Sequence, residues 1–229
     1  MTNEEKIIKL EEKLEKIADV IKGTQSRTYN LDALKDKEVM QVMGTIRLKD
    51  AILVFPTLTK ADQADRESRG LDLINLQTLI AIPDNEEVLS AFRAAFADAF
   101  NFAIKTKVLP EGFNINSQEQ NPFVVNTDEW LSKLKDEELR ETIREMLKGK
   151  KLLKNCKIVS SEESDRPTIL LNKDGEEISQ NKVTGNLCKA EVCLSFGGYN
   201  KAGKKGIGRY LQGLRIMDEG SAGNNSIFF

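Results

Sequence analysis

Apolar residues along this chain recur with two different periods, and the switches between them mark out its elements. Near the start, Ile7, Leu10, Leu14, Ile17 and Ile21 follow one another at spacings of three and four, with lysine and glutamate between them. That is a coiled-coil-like seam of about two heptads, so residues 1–22 are predicted to form an amphipathic helix able to support a homo-oligomer through residues 7–21. Gly23 ends the helix, and residues 23–41 read as a polar linker. Over 44–56 the spacing changes: Ile46 and Leu48 alternate with Arg47 and Lys49, as in a half-buried strand with a basic outer face. Residues 60–72 are dense in charge and read as a loop. A second strand spans 73–83. With Asp84 as its cap, a helix then runs over about 85–105, and its Val88, Leu89, Phe92, Phe96, Ala99, Phe100 and Ala103 share one face.

After a loop over 109–123, the pattern predicts a helix over 127–149 and a strand over 152–160. A short strand follows, closed by a hairpin signal at Asp174 and Gly175. The last two strands, 186–199 and 206–217, are joined by the loop NKAGKKG, and 218–229 is a polar tail with an apolar end. Several strands, one embedded helix and a closing glycine-rich hairpin give an α+β, mainly β class. One solution is an antiparallel barrel of the oligonucleotide-binding (OB) type over 42–217, with 127–149 as a helical insert. Other α+β meanders fit the pattern equally well.

Composition removes many chemistries. The 229 residues contain no histidine, which excludes Ser-His-Asp and Cys-His catalysis and histidine-ligated metals. Cys156, Cys188 and Cys193 are odd in number and lack CxxC spacing, so they read as small core hydrophobes. No GxxxxGK[ST] loop is present, and GKKGIG opens no helix. No cofactor or metal is expected. No apolar run approaches the roughly 18 residues of a membrane span, so the expectation is a cytoplasmic protein that binds no membrane.

Net charge is −2, yet residues 192–217 hold five basic residues and no acid. Lys201, Lys204, Lys205, Arg209 and Arg215 stand there among Tyr199, Tyr210 and six glycines. Cations neutralise phosphates, aromatic faces stack on unpaired bases, and glycines admit a close approach. This mixture suits a groove for single-stranded nucleic acid; the alternative is a glycine-rich hairpin with a solvated basic face. In an unbroken strand Arg209 and Arg215 share a face opposite Tyr210, unless Gly208 or Gly213 marks a bulge. Arg47 and Lys49 are further candidate contacts. Residues 140–157, with seven cations against two acids, form a second electrostatic footprint.

The segments GTIRLKDAILVFP, LINLQTLIAIPDNEEVLSAFRAAFADAF and NKVTGNLCKAEVCLSFGGYNKAGKKGIGRYLQGLRIMDEG resemble the bacteriophage single-stranded DNA-binding proteins once catalogued as a domain of unknown function. The specific part is the close: Tyr199–Asn200, the glycine-lysine loop, Leu211 to Leu214, and Asp218–Glu219–Gly220. The resemblance implies an OB-fold core, single-stranded DNA as ligand, no catalysis, and a role in phage replication or recombination. Ile227, Phe228 and Phe229 end a tail too polar to fold by itself, and are expected to fill a pocket on the body or to bind a replication or recombination protein. Two other classes stay open: an interaction module acting through the coiled coil and tail, and a carboxylate metallonuclease.

Overall fold

The computed structural model describes residues 37–70, 75–116, 120–124, 126–160, 163, 167–201, 203–218 and 220. The predicted helix over 1–22 and the tail residues Ile227, Phe228 and Phe229 lie outside them. The strands are β1 (Val39–Val42), β2 (Thr45–Thr57), β3 (Gln77–Pro83), β4 (Lys150–Ile158), β5 (Ile169–Leu171), β6 (Lys189–Lys201) and β7 (Lys204–Ile216). The helices are α1 (Lys60–Ser68), α2 (Glu86–Lys105), α3 (Thr127–Ser132) and α4 (Glu137–Met146). The class is α+β and rich in strand, as the hydrophobic pattern implies.

Strand β2 is long enough to serve three antiparallel partners, β1, β3 and β6. Strand β3 pairs with β4, and β4 meets β7 in parallel at Lys157↔Tyr210 and Ile158↔Leu211. β7 runs antiparallel to β6, which returns to β2. The pairing of β2, β3, β4, β7 and β6 therefore closes on itself, with β1 and β5 attached outside this circuit.

Inside the circuit Ile46, Leu48, Leu53, Ile80, Leu153, Val192, Leu194, Leu211 and Leu214 form the main core. Helix α2 closes it. Asn85 caps the helix by accepting from the Val88 amide at 2.9 Å, and Phe92, Ala95, Ala99 and Ala103 face inward. The alanine stripe lets the helix come close: a Cβ on Gly198 would lie 2.5 Å from that of Ala103. A second core lies on the outer side of the same strands, where Ile52, Val54, Ala81 and Leu152 meet Leu131, Leu134, Leu139 and Ile143 from the insert. Ala51 to Thr57 are buried without alternation because both faces are covered.

Five sequence expectations change. The cap of α2 is Asn85 rather than Asp84, whose amide donates instead to the Gly149 carbonyl. Residues 60–68 form helix α1, because Thr59 and Asp62 make a capping box and the buried Asp62 carboxylate accepts from the amides of Leu58, Thr59 and Thr184. The insert is two helices, since Asp136 starts a new one by accepting from the Leu139 amide. Strand pairing begins at Val39, inside the stretch read as linker. Lys201, Lys204 and Lys205 belong to strands, because the β6–β7 ladder continues to Lys201↔Lys204, with Gly203 at φ 79°.

Candidate nucleic-acid interface

The β6–β7 hairpin has one buried and one open side. On the buried side Phe196 packs edge-on against Phe92 and Phe96 of α2, at centroid distances of 6.0 and 5.6 Å. The register Ser195↔Tyr210, Gly197↔Gly208, Tyr199↔Gly206 and Lys201↔Lys204 places the other set of residues together on the open side. Tyr199 and Tyr210 thus share one face.

Glycine makes room for both rings. A Cβ on Gly208 would stand 2.6–2.8 Å from the Oη, Cε2 and Cζ of Tyr210, and one on Gly197 would touch the same ring at 3.6 Å. The Tyr199 hydroxyl lies 3.0 Å from where a Cβ of Gly206 would be. Each ring therefore leans along the backbone of the hairpin, half-buried. Gln120 borders this face and accepts from the Ile207 amide at 3.1 Å.

At the turn, Lys201 faces Lys204 directly across the ladder on the open side, while Lys205, paired with Asn200, falls on the other side of the hairpin. None of the three has an acidic partner among the described residues. Like charges placed opposite each other destabilise a hairpin, and a bound anion would relieve that repulsion. The row continues sideways from Tyr210 to Lys157 of β4 and Gln77 of β3. Lys157 is paired with Glu163 at 2.9 Å, and its hydrogen bond holds that carboxyl below the usual range.

The remaining candidates are placed differently. An extra residue at Gln212, between Leu211↔Leu194 and Gly213↔Cys193, shifts the register. Arg215 consequently joins the Tyr210 face while Arg209 stays opposite; the bulge falls at Gln212 rather than at either glycine. Gln212 donates to the Ser195 hydroxyl at 2.6 Å, which fixes the bulge. Arg215 is bonded to Glu191 at 3.0 Å, and Arg209 donates to the Asn155 carbonyl at 3.3 Å. The basic outer face expected on β2 is not formed as read: Arg47 is only 4% exposed, flanked by Met40 and Cys193 on the adjoining strands. Lys49 is half-buried beside Glu38, whose carbonyl accepts from its amide.

All three cysteines are free and buried, as expected of core residues. Burial pushes the Cys193 thiol up to about 11 against the opposing pull of Arg47, and Cys156 up to about 12. Among the described residues no three His, Cys, Asp or Glu side chains gather as a metal site, and no helix is long and apolar enough to cross a membrane. Sequence reading missed Gln120, Ser195 and Gln212. Ser195 and Gln212 are placed by a pairing register and Gln120 by a contact between residues 87 apart, neither of which a local pattern carries.

No protein-family model matches the chain, and no curated protein matches it. Among solved structures it is similar to the single-stranded DNA-binding protein from bacteriophage Enc34. In a C-terminally truncated form the TM-score is 0.42 at 13% identity, covering 79% of this chain and 88% of that one. In complex with single-stranded DNA the TM-score is 0.39 at 14% identity, covering 79% and 90%. It is also similar to gp2.5, a single-stranded DNA-binding protein encoded by bacteriophage T7, with a TM-score of 0.44 at 13% identity over 76% and 92% of the two chains. These neighbours are of the kind the sequence resembles.

Proposed function

We propose that this chain is a non-enzymatic protein that binds, coats and protects single-stranded DNA during phage replication or recombination. The observation that carries the reading is the open face of the β6–β7 hairpin. There Tyr199 and Tyr210 lean over glycines, and Lys201 and Lys204, without an acidic partner among the described residues, stand at the turn with Lys205 beside them. Rings at the surface suit unpaired bases, and the cations suit phosphates. Stacking on any base face and charge attraction to any phosphate give binding with little sequence preference.

The closed circuit β2–β3–β4–β7–β6 supports reading the core as a five-stranded barrel of the OB type. In that fold the faces of the second and third strands also take ligand. Here α3 and α4 cover the outer side of β2, β3 and β4 where the second core lies. The strand of DNA would then run over Lys157, Tyr210, Tyr199 and the lysines at the turn, away from the insert.

Titrating labelled single-stranded and duplex oligonucleotides at several salt concentrations, with and without magnesium, tests the reading. The expected result is preference for the single strand, no cleavage on a gel, and a log–log salt slope near −2 if the three turn lysines each contact a phosphate, from roughly −0.7 per contact. A preference for duplex at moderate salt, or strand cleavage, would refute it.

A further inference from the structure

At the far end of the same hairpin, where Ala190 pairs with Ile216, lies a cleft of about 670 Å³ whose apolar wall is Ile178, Val183, Cys188, Ile216 and Met217 and whose rim is the polar residues of 172–174, 182, 184 and 218. Its size lies within the roughly 300–1,000 Å³ of sites that hold a compact ligand. Val183 and Met217 are 47% and 43% exposed, two of the few large apolar side chains left so open among the described residues. Asp218, at the lip, accepts from the amides of Lys189 and Gly220. Gly220 adopts φ 62°, with no room for a side chain against the Asn186 carbonyl and the Cys188 sulfur. The chain is thus pinned beside the cleft just before residues 221–229, SAGNNSIFF.

We infer that this cleft receives the chain's own Ile227, Phe228 and Phe229. Nine residues beyond Gly220 reach at most about 30 Å, more than enough to fold back on a cleft whose wall is Met217 and Asp218. The intervening residues Ser221 to Ser226 are small or polar, so the three large apolar residues gain most from leaving water. Docking would also cover Val183 and Met217. The site lies at the opposite end of the hairpin from the lysine cluster, so the inference does not rest on the nucleic-acid reading.

The test uses the full chain. Amide exchange over residues 178–188 and 216–218 is compared between the parent and Phe228→Ala/Phe229→Ala, with Val183→Asp as a cleft-side variant at an exposed position. Exchange about tenfold faster in both variants is expected. With Cys188, which lines the cleft, changed to alanine, a Val183→Cys/Phe228→Cys chain should form an intramolecular disulfide at monomer mass, since the other native cysteines are buried away from it. Unchanged exchange in the variants would overturn the inference. So would a disulfide formed only between two molecules, which assigns the cleft to a second copy, or protection lost on adding oligo-deoxythymidine, which puts the tail on the lysine-bearing face.

Discussion

Gly208 and Tyr210 act as one unit, because the ring occupies the volume a side chain at 208 would need. Gly208→Val therefore displaces the ring, and is expected to weaken single-strand binding by about as much as Tyr210→Ala, roughly 1–3 kcal/mol for one lost stack. The double variant should lose little beyond either single one, since both remove the same contact. Anisotropy titrations of the three variants check this; full additivity would separate the two residues. The buried thiols give a second prediction. Cys156 and Cys193 hold their protons to about 12 and about 11 in the folded chain, against 9.0 ordinarily. Between those values the unfolded chain loses protons that the folded chain keeps, so stability falls as pH rises above about 9. Urea midpoints from about pH 8 to about pH 10.5 should drop more steeply for the parent than for Cys156→Ala. Equal slopes would contradict it.

The hairpin is the element on which sequence and structure diverge most usefully. Tyr199, Tyr210 and the lysines were legible as residue types, yet their placement depends on two facts no periodicity shows. The Lys201↔Lys204 register puts residue 199 and residue 210 on one face, and the extra residue at Gln212 carries Arg215 to that face and leaves Arg209 behind. Arg47 alternated correctly with its apolar neighbours but is buried, since β1 and β6 flank it. Helix α1 is hidden in the sequence because it has almost no apolar stripe; only the Thr59–Asp62 capping box announces it. At this scale, replacing Lys201, Lys204 and Lys205 together with alanine should flatten the salt slope by about two units, from roughly −0.7 per phosphate contact. Arg215→Ala should barely change it, because Glu191 already neutralises that guanidinium. A salt slope unaltered by the triple change would move the phosphate path elsewhere.

Across the whole molecule the fold divides its surfaces by use. Helix α2 closes the core inside the strand circuit, the insert covers one outer side with a second core, and the hairpin's open side is left with rings and cations. The class and most strands followed from hydrophobic period. The closure of the circuit did not, because the contact of β4 with β7 rests on two parallel pairs between residues about fifty apart in sequence. The central claim is that unpaired bases lie on Tyr199 and Tyr210. Photo-crosslinking with single-stranded oligonucleotides carrying 5-iodouracil, followed by mass-spectrometric mapping, tests it most directly. The account predicts crosslinks at Tyr199 and Tyr210 that are lost when each is changed to leucine. Crosslinks confined to α3, α4 or the outer side of β2 and β3 would contradict it.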